Sequence, residues 1–312
     1  MVPEPRQVVE TASGVSRSSA SRANKRGEPP PSPEPLPAPA VDSHAHLDIT
    51  VAGFDRSDGE PDPAAVDAQI AATSAVGVPR LVQVGVDVAS SRWSAQLAAR
   101  HPNVLAAVAV HPNDAAEGGA DDDALAEIDR LAQLPRVRAV GETGLDRYRT
   151  GPEGWPVQEA SFRAHIRIAE ARGKALVIHD REAHEEILRV LDDEGVPEHT
   201  VFHCFSGDAA FARACVDRGA VLSFAGTVTF GNADYLREAA ALTPLDQLLV
   251  ETDAPFLTPV PHRGRPNAPR LVPHTVRALA QVKDVDLAEL CHVLTRNAER
   301  VFGSWVQQSP SP

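Results

Sequence analysis

The chain has 312 residues, of which 43% are hydrophobic and 23% charged, and its formal net charge is −13. This length suits one large domain or two ordinary ones, and the acidic charge argues against a protein that coats nucleic acid over its whole surface. An acidic body does not exclude a phosphate-handling site, because bound cations reverse the sign of the charge locally.

Three features of the sequence predict a cytoplasmic protein. No run approaches the ~18 consecutive apolar residues of a membrane span, and residues 1–6 do not lead into the apolar core of a secretory signal. The cysteines, Cys204, Cys215 and Cys291, are widely spaced and form no Cys-x-x-Cys pair, which argues for a reducing compartment and against a thiolate zinc site. We therefore expect no membrane contact, and nothing in the sequence indicates an obligate protein partner.

Composition divides the chain into three parts. Residues 1 to about 40 are rich in Ser, Arg, Pro and Glu and have almost no large apolar residues. They cannot bury a core, so they are predicted to form a disordered tail. Residues 41–304 are predicted to form one folded domain, and residues 305–312 a second, short and loose tail.

Between the tails, short apolar runs alternate with longer amphipathic stretches. The apolar runs predict strands at residues 40–44, 80–86, 104–110, 137–142, 174–178, 199–203, 220–224 and 247–252. The amphipathic stretches predict helices at residues 63–76, 90–100, 121–134, 157–172, 182–194, 208–218, 233–242, 272–282 and 286–301. This pattern predicts an α/β protein with the (β/α)8 TIM-barrel fold, whose usual length is ~250 residues. The competing doubly wound open sheet lacks its usual Gly-x-Gly-x-x-Gly or Walker loop here.

Histidines and carboxylates stand at or just beyond the carboxyl ends of most predicted strands. His44 and His46 come first, and both can reach one metal ion because side chains two residues apart on a strand share a face. The later strands contribute Asp87, His111, Glu142, His179, His203, Glu251 and Asp253. Such positions converge on one face of a barrel, where active sites are built. Gathered there without cations, these groups would be buried and uncompensated.

The number of candidate ligand side chains predicts two divalent metal ions. His44, His46 and Asp253 would hold one ion, and His179 and His203 would hold the second. Glu142 can bridge both ions with its two oxygens. A water between the ions is acidified toward hydroxide and positioned for in-line attack, and Asp253 could accept its proton. Magnesium, manganese and zinc all stay open as the metal.

Five ordered segments resemble signatures of the TatD-type metal-dependent deoxyribonucleases. They are residues 41–48 (VDSHAHLD), 141–146 (GETGLD), 177–181 (VIHDR), 203–207 (HCFSG) and 251–255 (ETDAP), the last followed by 261–264 (PHRG). The resemblance covers about residues 41 to 303 and implies a metal-dependent hydrolase barrel of the amidohydrolase superfamily. It also implies cleavage of DNA phosphodiester bonds by metal-bound hydroxide, as a 3′–5′ exonuclease acting on single strands or 3′ ends.

The resemblance implies roles for individual residues as well. The implied metal ligands are His44, His46, Glu142, His179, His203 and Asp253, whereas His111 is implied to contact substrate phosphate rather than a metal. Many members of the superfamily bridge their metals with a carboxylated lysine. The lysines here, Lys25, Lys174 and Lys283, do not fall at the carboxyl end of a predicted strand, so the bridge must be Glu142. Thr143 and Arg147 depart from the family pattern, which bears on substrate preference rather than on the chemistry.

Further residues are candidates for substrate binding. We expect Arg181 to orient phosphate or to pair with an acid. Arg263, with Arg265 and Arg270 in the same loop, is expected to hold backbone phosphates unless that loop is simply solvated. Tyr148, Phe205 and Phe230 could stack on bases, although anchoring of the core or a loop is their commoner role. Cys204 should point away from His203 and pack against a helix, and we expect His262 to be neither ligand nor substrate contact.

Two other functions stay open. The same site could hydrolyse an ester or amide bond in a small molecule or an aminoacyl-tRNA, which a substrate panel would distinguish. The chain could also be a non-catalytic nucleic-acid-binding protein, a function that the intact ligand set and the acidic charge oppose.

Overall fold

The computed structural model describes residues 27–52 and 60–305, and within them eight strands form one parallel sheet. The strands follow the chain in the order β1 Val41–Ala45, β2 Arg80–Val84, β3 Val104–Val108, β4 Val137–Asp146, β5 Ala175–Arg181, β6 Thr200–Phe202, β7 Val221–Phe224 and β8 Leu248–Val250. Beyond β8 the chain returns to β1, where Asp253 N donates to His44 O and His46 N donates to Ala254 O. The predicted (β/α)8 barrel is confirmed.

Helices surround the barrel and alternate with the strands. They are α1 Leu47–Ala52, α2 Pro63–Ala75, α3 Val88–Arg100, α4 Asp122–Ala132, α5 Trp155–Arg172, α6 His184–Glu194, α7 Ala209–Val216, α8 Asp234–Leu242, α9 Val272–Lys283 and α10 Leu287–Phe302. Aspartates cap several amino termini by accepting a backbone N–H, as N-cap carboxylates commonly do. One of them is Asp87, a strand-end candidate from the sequence, which caps α3 through Ser90 N. None of the helices in the two described ranges is long and apolar enough to cross a membrane.

The barrel is filled by small and branched side chains that point inward from every strand, such as Val82, Leu105 and Val177. Its lower end, where the strands begin, is closed by Val301, Phe302 and Trp305. A second apolar layer, which includes Phe162, Ile166 and Phe224, lies between the strands and the helices. Because both faces of the strands are packed in this way, the polar side chains at the carboxyl ends are held on a rigid frame.

The structure corrects both predicted tails. Trp305, assigned to a loose tail, is buried, and its carbonyl accepts a hydrogen bond from the buried Arg136. Residues 27–40, here called the N-terminal strap, lie along the outside of the barrel although disorder was predicted for them. Within the strap, Leu36 is buried and its N–H donates to Val76 O, while Ala40 N donates to Gly77 O. The rest of the two predicted tails, residues 1–26 and 306–312, lies outside the described residues.

Two strands are longer than predicted, and this matters for the site. β4 continues to Asp146 and β5 to Arg181, and they stay paired to their ends, with Gly144 opposite His179. At Gly144, φ is +143° and an added Cβ would lie 2.1 Å from His179 O. Only glycine allows this close approach. The extension therefore carries Asp146 up beside the histidine of β5.

Candidate metal centre

The six residues predicted as metal ligands come together at the carboxyl end of the barrel. They are supplied by β1 and its end (His44, His46), β4 (Glu142), β5 (His179), and the segments just after β6 (His203) and β8 (Asp253). His44, His46, Glu142 and His203 are buried, whereas His179 and Asp253 are partly exposed. The centre is thus reached from the solvent on one side only.

A first donor group surrounds Glu142 Oε2. His44 Nε2 and His46 Nε2 lie 3.2 Å from each other and 3.5 and 3.6 Å from Glu142 Oε2. Asp253 Oδ1 lies 3.9 Å from His44 Nε2 and 3.5 Å from His46 Nε2. Ligands at ~2.1 Å from a tetrahedral ion stand roughly 3.4 Å apart. The donor atoms of His44, His46 and Asp253 therefore fit one divalent cation, and Glu142 Oε2 lies within reach of the same ion from the side of the histidines.

A second donor group surrounds the other oxygen of the same carboxylate. Glu142 Oε1 lies 2.7 Å from His179 Nδ1, 2.9 Å from His203 Nε2 and 3.4 Å from His111 Nε2. The two oxygens of Glu142 thus face different groups of histidines, which is the arrangement that a bridging carboxylate requires. His111, expected to contact only substrate phosphate, lies among these donor atoms and is a candidate ligand as well.

Most of the histidines have a partner for the ring nitrogen that faces away from the donor group. His46 Nδ1 lies 3.0 Å from Val84 O, and His203 Nδ1 lies 3.2 Å from Glu251 Oε1. His179 Nε2 lies 3.3 Å from Asp146 Oδ2. Such contacts fix the tautomer and orientation of a ligating imidazole. His44 Nδ1 differs, being buried without a hydrogen-bond partner among the described residues.

The roles of Glu251 and Asp146 were not predicted from the sequence. Glu251 was noted at a strand end but given no function; it is fully buried and also accepts a hydrogen bond from Cys204 N. Asp146 was not singled out, although it stands four residues after Glu142 on one strand. Side chains at even spacing share a face of a strand, and that spacing was the available signal.

A buried aspartate shapes the segment that carries Asp253. Thr252 donates to Asp42 through both its hydroxyl, 2.6 Å from Oδ2, and its backbone N–H, 2.9 Å from Oδ1. Asp42 is fully buried, and burial raises its pKa to about 8 although the bonds from Thr252 lower it. Directly after this anchor, Asp253 adopts a left-handed conformation with φ +51°. Asp42 thus positions Asp253 without belonging to either donor group.

The buried carboxylates of the centre need positive charge beside them. Burial raises the pKa of Glu142, but His203, His111 and His179 outweigh it and hold this pKa well below its usual range. Burial lowers the pKa of His46, but Asp253 and Glu142 outweigh that effect and raise it to about 9. The buried carboxylates therefore need protons on neighbouring imidazoles or, equally, divalent cations. Both the donor set and its charge fit metal ions.

The expectation for Cys204 rested on strand alternation. β6 ends at Phe202, and Cys204 has φ +43°, so strand alternation does not apply to it. The residue is partly exposed. Burial of the thiol and the nearby carboxylates of Asp253, Glu251 and Glu142 raise its pKa well above the usual value.

Two arginines at the rim of the centre are paired with aromatic rings. The guanidinium carbon of Arg181 lies 4.1 Å from the ring centroid of Tyr148, which is 61% exposed. That of Arg263, in the loop after β8, lies 4.2 Å from the ring of Phe230. Each pair presents a cation and a flat ring at the rim.

Other rim candidates have different surroundings. Arg265 and Arg270, grouped with Arg263 as possible phosphate contacts, donate instead to carbonyls of the N-terminal strap. Phe205 is buried and stacks on Phe211, so it anchors the core. The ring of His262 contacts His274 and lies in none of the groups of potential metal ligands among the described residues.

Comparison with known proteins agrees with this geometry. Residues 41–303 match the family model described as TatD related DNase. The chain belongs to the TatD family. It is 44% identical over 279 residues to the uncharacterized metal-dependent hydrolase TatD of Mycobacterium tuberculosis, covering 86% of this chain and 100% of that protein. It is 39% identical over 266 residues to the uncharacterized metal-dependent hydrolase YcfH of Escherichia coli K12, covering 84% and 95%.

The solved structures of TatD-family proteins share the fold. The crystal structure of YjjV, a TatD homologue from Escherichia coli, superposes with a TM-score of 0.76 at 24% identity, covering 85% of this chain and 98% of that one. A TatD-family hydrolase from Entamoeba histolytica superposes with a TM-score of 0.72 at 16% identity, covering 85% and 98%. The family and the donor groups together identify this TatD-family chain as a metal-dependent hydrolase.

Proposed function

We propose that this protein hydrolyses the phosphodiester bonds of DNA, removing nucleotides from the 3′ end of a single strand with two bound divalent cations. The observation that carries the proposal is that the two oxygens of Glu142 face two separate histidine groups. A second feature supports it, because the rim above these groups holds two guanidinium–aromatic pairs. The first feature suits in-line displacement at phosphorus, and the second suits a chain of phosphates and bases. The 3′–5′ direction comes from the family resemblance.

The protein's own groups divide the work around the reacting phosphate. The two donor groups would hold divalent cations, which when bound would supply an acidified water molecule and positive charge for the phosphate oxygens. Asp253 is the group placed to accept the proton of the attacking water at its carboxylate, because it is 13% exposed and lies at the solvent side of the first group. His111, 14% exposed at the second group, is placed to contact a phosphate oxygen.

The rim groups would bind the rest of the strand. A guanidinium offers a planar, permanently charged fork for phosphate oxygens, which suits Arg181 and Arg263. Tyr148 and Phe230 supply flat faces, and stacking of a base on an aromatic ring tolerates any base sequence. A binding surface of this kind selects single strands without reading their sequence. Because the chain carries a net charge of −13, it would repel nucleic acid elsewhere, and we propose that binding is limited to the rim with Arg181 and Arg263.

The test is hydrolysis by protein loaded with manganese or magnesium. A single-stranded oligonucleotide carrying a 5′ label should yield a ladder that shortens stepwise, and the same strand carrying a 3′ label should release a labelled mononucleotide first. Bis(p-nitrophenyl) phosphate serves as a small phosphodiester, and p-nitrophenyl acetate and an aminoacyl-tRNA serve as carboxylic esters. Cleavage of the esters without cleavage of either phosphodiester would overturn the proposal in favour of the esterase alternative. Metal-independent binding of DNA without cleavage would favour a non-catalytic protein.

A further inference from the structure

Ahead of Leu36, the N-terminal strap is held through its backbone carbonyl groups, whereas Leu36 and Ala40 donate their N–H groups. Seven of its fourteen residues are proline, which has no N–H to donate and favours an extended chain with free carbonyls. Side chains from the far end of the sequence fill these acceptors. Arg265 donates to Glu28 O and Pro29 O, Arg270 to Pro30 O, Arg277 to Glu34 O and Pro35 O, and Thr295 to Pro39 O.

The strap runs from the mouth of the barrel to its lower end. It begins beside Arg265 in the loop after β8, continues along α9, and enters β1 at the lower end, where Leu36 packs against Gly77. This strap precedes the region that matches the TatD family, which starts at residue 41. The strap therefore lies outside the region that the family model matches, and it reaches the mouth of the barrel.

Arg265 joins the strap to the loop that follows β8. Its Nε and Nη2 atoms lie 2.7 and 2.9 Å from the carbonyl oxygens of Glu28 and Pro29. Its own carbonyl accepts from Thr258 Oγ1 at 2.5 Å, and its N–H donates to His262 O at 3.1 Å. One residue thus closes the loop on itself and ties the closed loop to the strap.

The loop closed by Arg265 carries Arg263. The side chain of Arg263 is exposed and rests on Phe230, and both line a small pocket with Leu257, Thr258, Gly264 and Arg265. On its other side the loop is held by Val260 N, which donates to Thr229 Oγ1. Without the strap, the Arg265 end of the loop would lose two charge-assisted hydrogen bonds and gain conformational freedom.

We propose that the strap is a specificity-determining element that positions Arg263 and the loop after β8 for polymeric substrates. The proposal rests on the proposed function, because Arg263 is taken to bind a phosphate beyond the scissile one. The proposal takes this phosphate to lie beyond the ends of a small phosphodiester, so the strap should affect oligonucleotides alone. We expect loss of the strap to raise KM about tenfold. A tenfold change in affinity corresponds to about 1.4 kcal/mol.

Two deletions form a matched pair for the test. Deletion of residues 1–35 removes every strap carbonyl that Arg265, Arg270 and Arg277 use, while it keeps Leu36 and leaves Arg265 itself in place. Deletion of residues 1–26 keeps all of these contacts. With manganese-loaded protein, the longer deletion should raise the KM for a single-stranded oligonucleotide about tenfold. It should leave kcat and the hydrolysis of bis(p-nitrophenyl) phosphate unchanged, and the shorter deletion should behave as the full chain.

Two point variants refine the comparison. Arg265→Gln breaks the strap at the loop and should raise the same KM, whereas Arg277→Gln removes contacts to the strap far from the loop and should not. Hydrogen exchange provides a readout without substrate. In the longer deletion the backbone amides of Val260 and of residues 262–265 should exchange at least tenfold faster, and in the shorter deletion they should match the full chain.

An unchanged oligonucleotide KM together with unchanged exchange in the longer deletion would overturn the proposal. Equal losses on the oligonucleotide and on the small phosphodiester would also overturn it, because they would show general damage to the centre. If the full chain cleaves no oligonucleotide, the proposed function fails and so does the selection of polymers. Exchange in the two deletions then still decides whether the strap positions the loop.

Discussion

His179 Nε2 lies 3.3 Å from Oδ2 of Asp146, on the side of the imidazole ring opposite the donor group. The carboxylate is held in turn, because its Oδ1 accepts from the backbone N–H groups of Tyr148 and Arg149 and its Oδ2 from Asn113. Burial raises the pKa of Asp146, but His179 and these donors outweigh it and hold the pKa well below its usual range. Asp146 therefore stays charged and orients a metal-binding histidine.

The first prediction concerns this contact. Asp146→Asn keeps the shape of the side chain and removes its charge, so it should weaken metal binding about 10- to 100-fold with little loss of folding. Titration calorimetry with manganese measures the affinity. Asp180→Asn is the matched control, since it breaks a similar pair, with His184 at 2.8 Å, whose histidine lies outside the donor groups. Equal affinities of Asp146→Asn and the unaltered protein would contradict an orienting role.

The second prediction concerns the carboxylate between the two donor groups. Glu142→Ala removes the carboxylate whose two oxygens face the two groups, so metal content and hydrolysis should fall together while the protein stays folded. Elemental analysis after desalting measures the stoichiometry, and circular dichroism checks the fold. Glu153→Ala, in the loop before α5, should leave both quantities unchanged. Full activity of Glu142→Ala on single-stranded DNA would contradict a bridging role.

The third prediction concerns removal of the metal. A ligand that binds only the folded state stabilises it by about 2.7 kcal/mol when present at a hundredfold excess over its Kd. At an unfolding entropy of about 2.1 cal/mol/K per residue, a domain of this size shifts its Tm by roughly 5 °C. Treatment with a chelator should lower Tm by this amount and abolish hydrolysis, and manganese should restore both. A Tm that does not respond to chelator or metal would count against metal binding at the donor groups.

The fourth prediction concerns a buried histidine away from the centre. His165 Nε2 accepts from Val110 N at 3.1 Å, and His165 Nδ1 lies 2.8 Å from Ser161 O, so the ring is neutral. Burial lowers its pKa to about 4, and the Ser161 carbonyl offsets this only in part. Because the folded state resists protonation, His165 contributes stability that is present above pH 6.5 and lost as the pH falls through about 4.

The lost stability should amount to about 3 kcal/mol, at 1.36 kcal/mol for each pKa unit. Urea unfolding between pH 8 and pH 4 measures it, and His165→Gln is the reference because its amide can both donate and accept. The free energy of unfolding should fall more steeply with acid in the unaltered protein than in His165→Gln. Parallel curves would show that another group causes the acid sensitivity.

Much of the candidate site was predictable because its signals are local. His44 and His46 two residues apart, Glu142 after an apolar run and Asp253 after the last strand each follow from strand alternation and from the geometry of a barrel. Their joint appearance at successive strand ends gave both the fold and the donor set. The family resemblance covered the same residues in the same order.

The missing parts depend on where strands end and on contacts distant in sequence. Strand alternation does not apply to Cys204 because β6 ends two residues earlier. Disorder was predicted for the strap because it contains few apolar residues. What holds it are guanidinium donors more than 230 residues away, such as Arg265 at a separation of 237 from Glu28. No window of sequence contains both partners of such a contact.

Residue 28 and Trp305 lie at opposite ends of the barrel axis. Residue 28 stands at the mouth beside Arg265, while Trp305 stands under the strands, where its ring N–H donates to Leu81 O. An anchor or fusion partner attached after residue 305 therefore projects from the closed end. Protein tethered to a bead in this way would present the open end to long polymers in solution, whereas a bulky partner joined ahead of the strap would crowd the entrance.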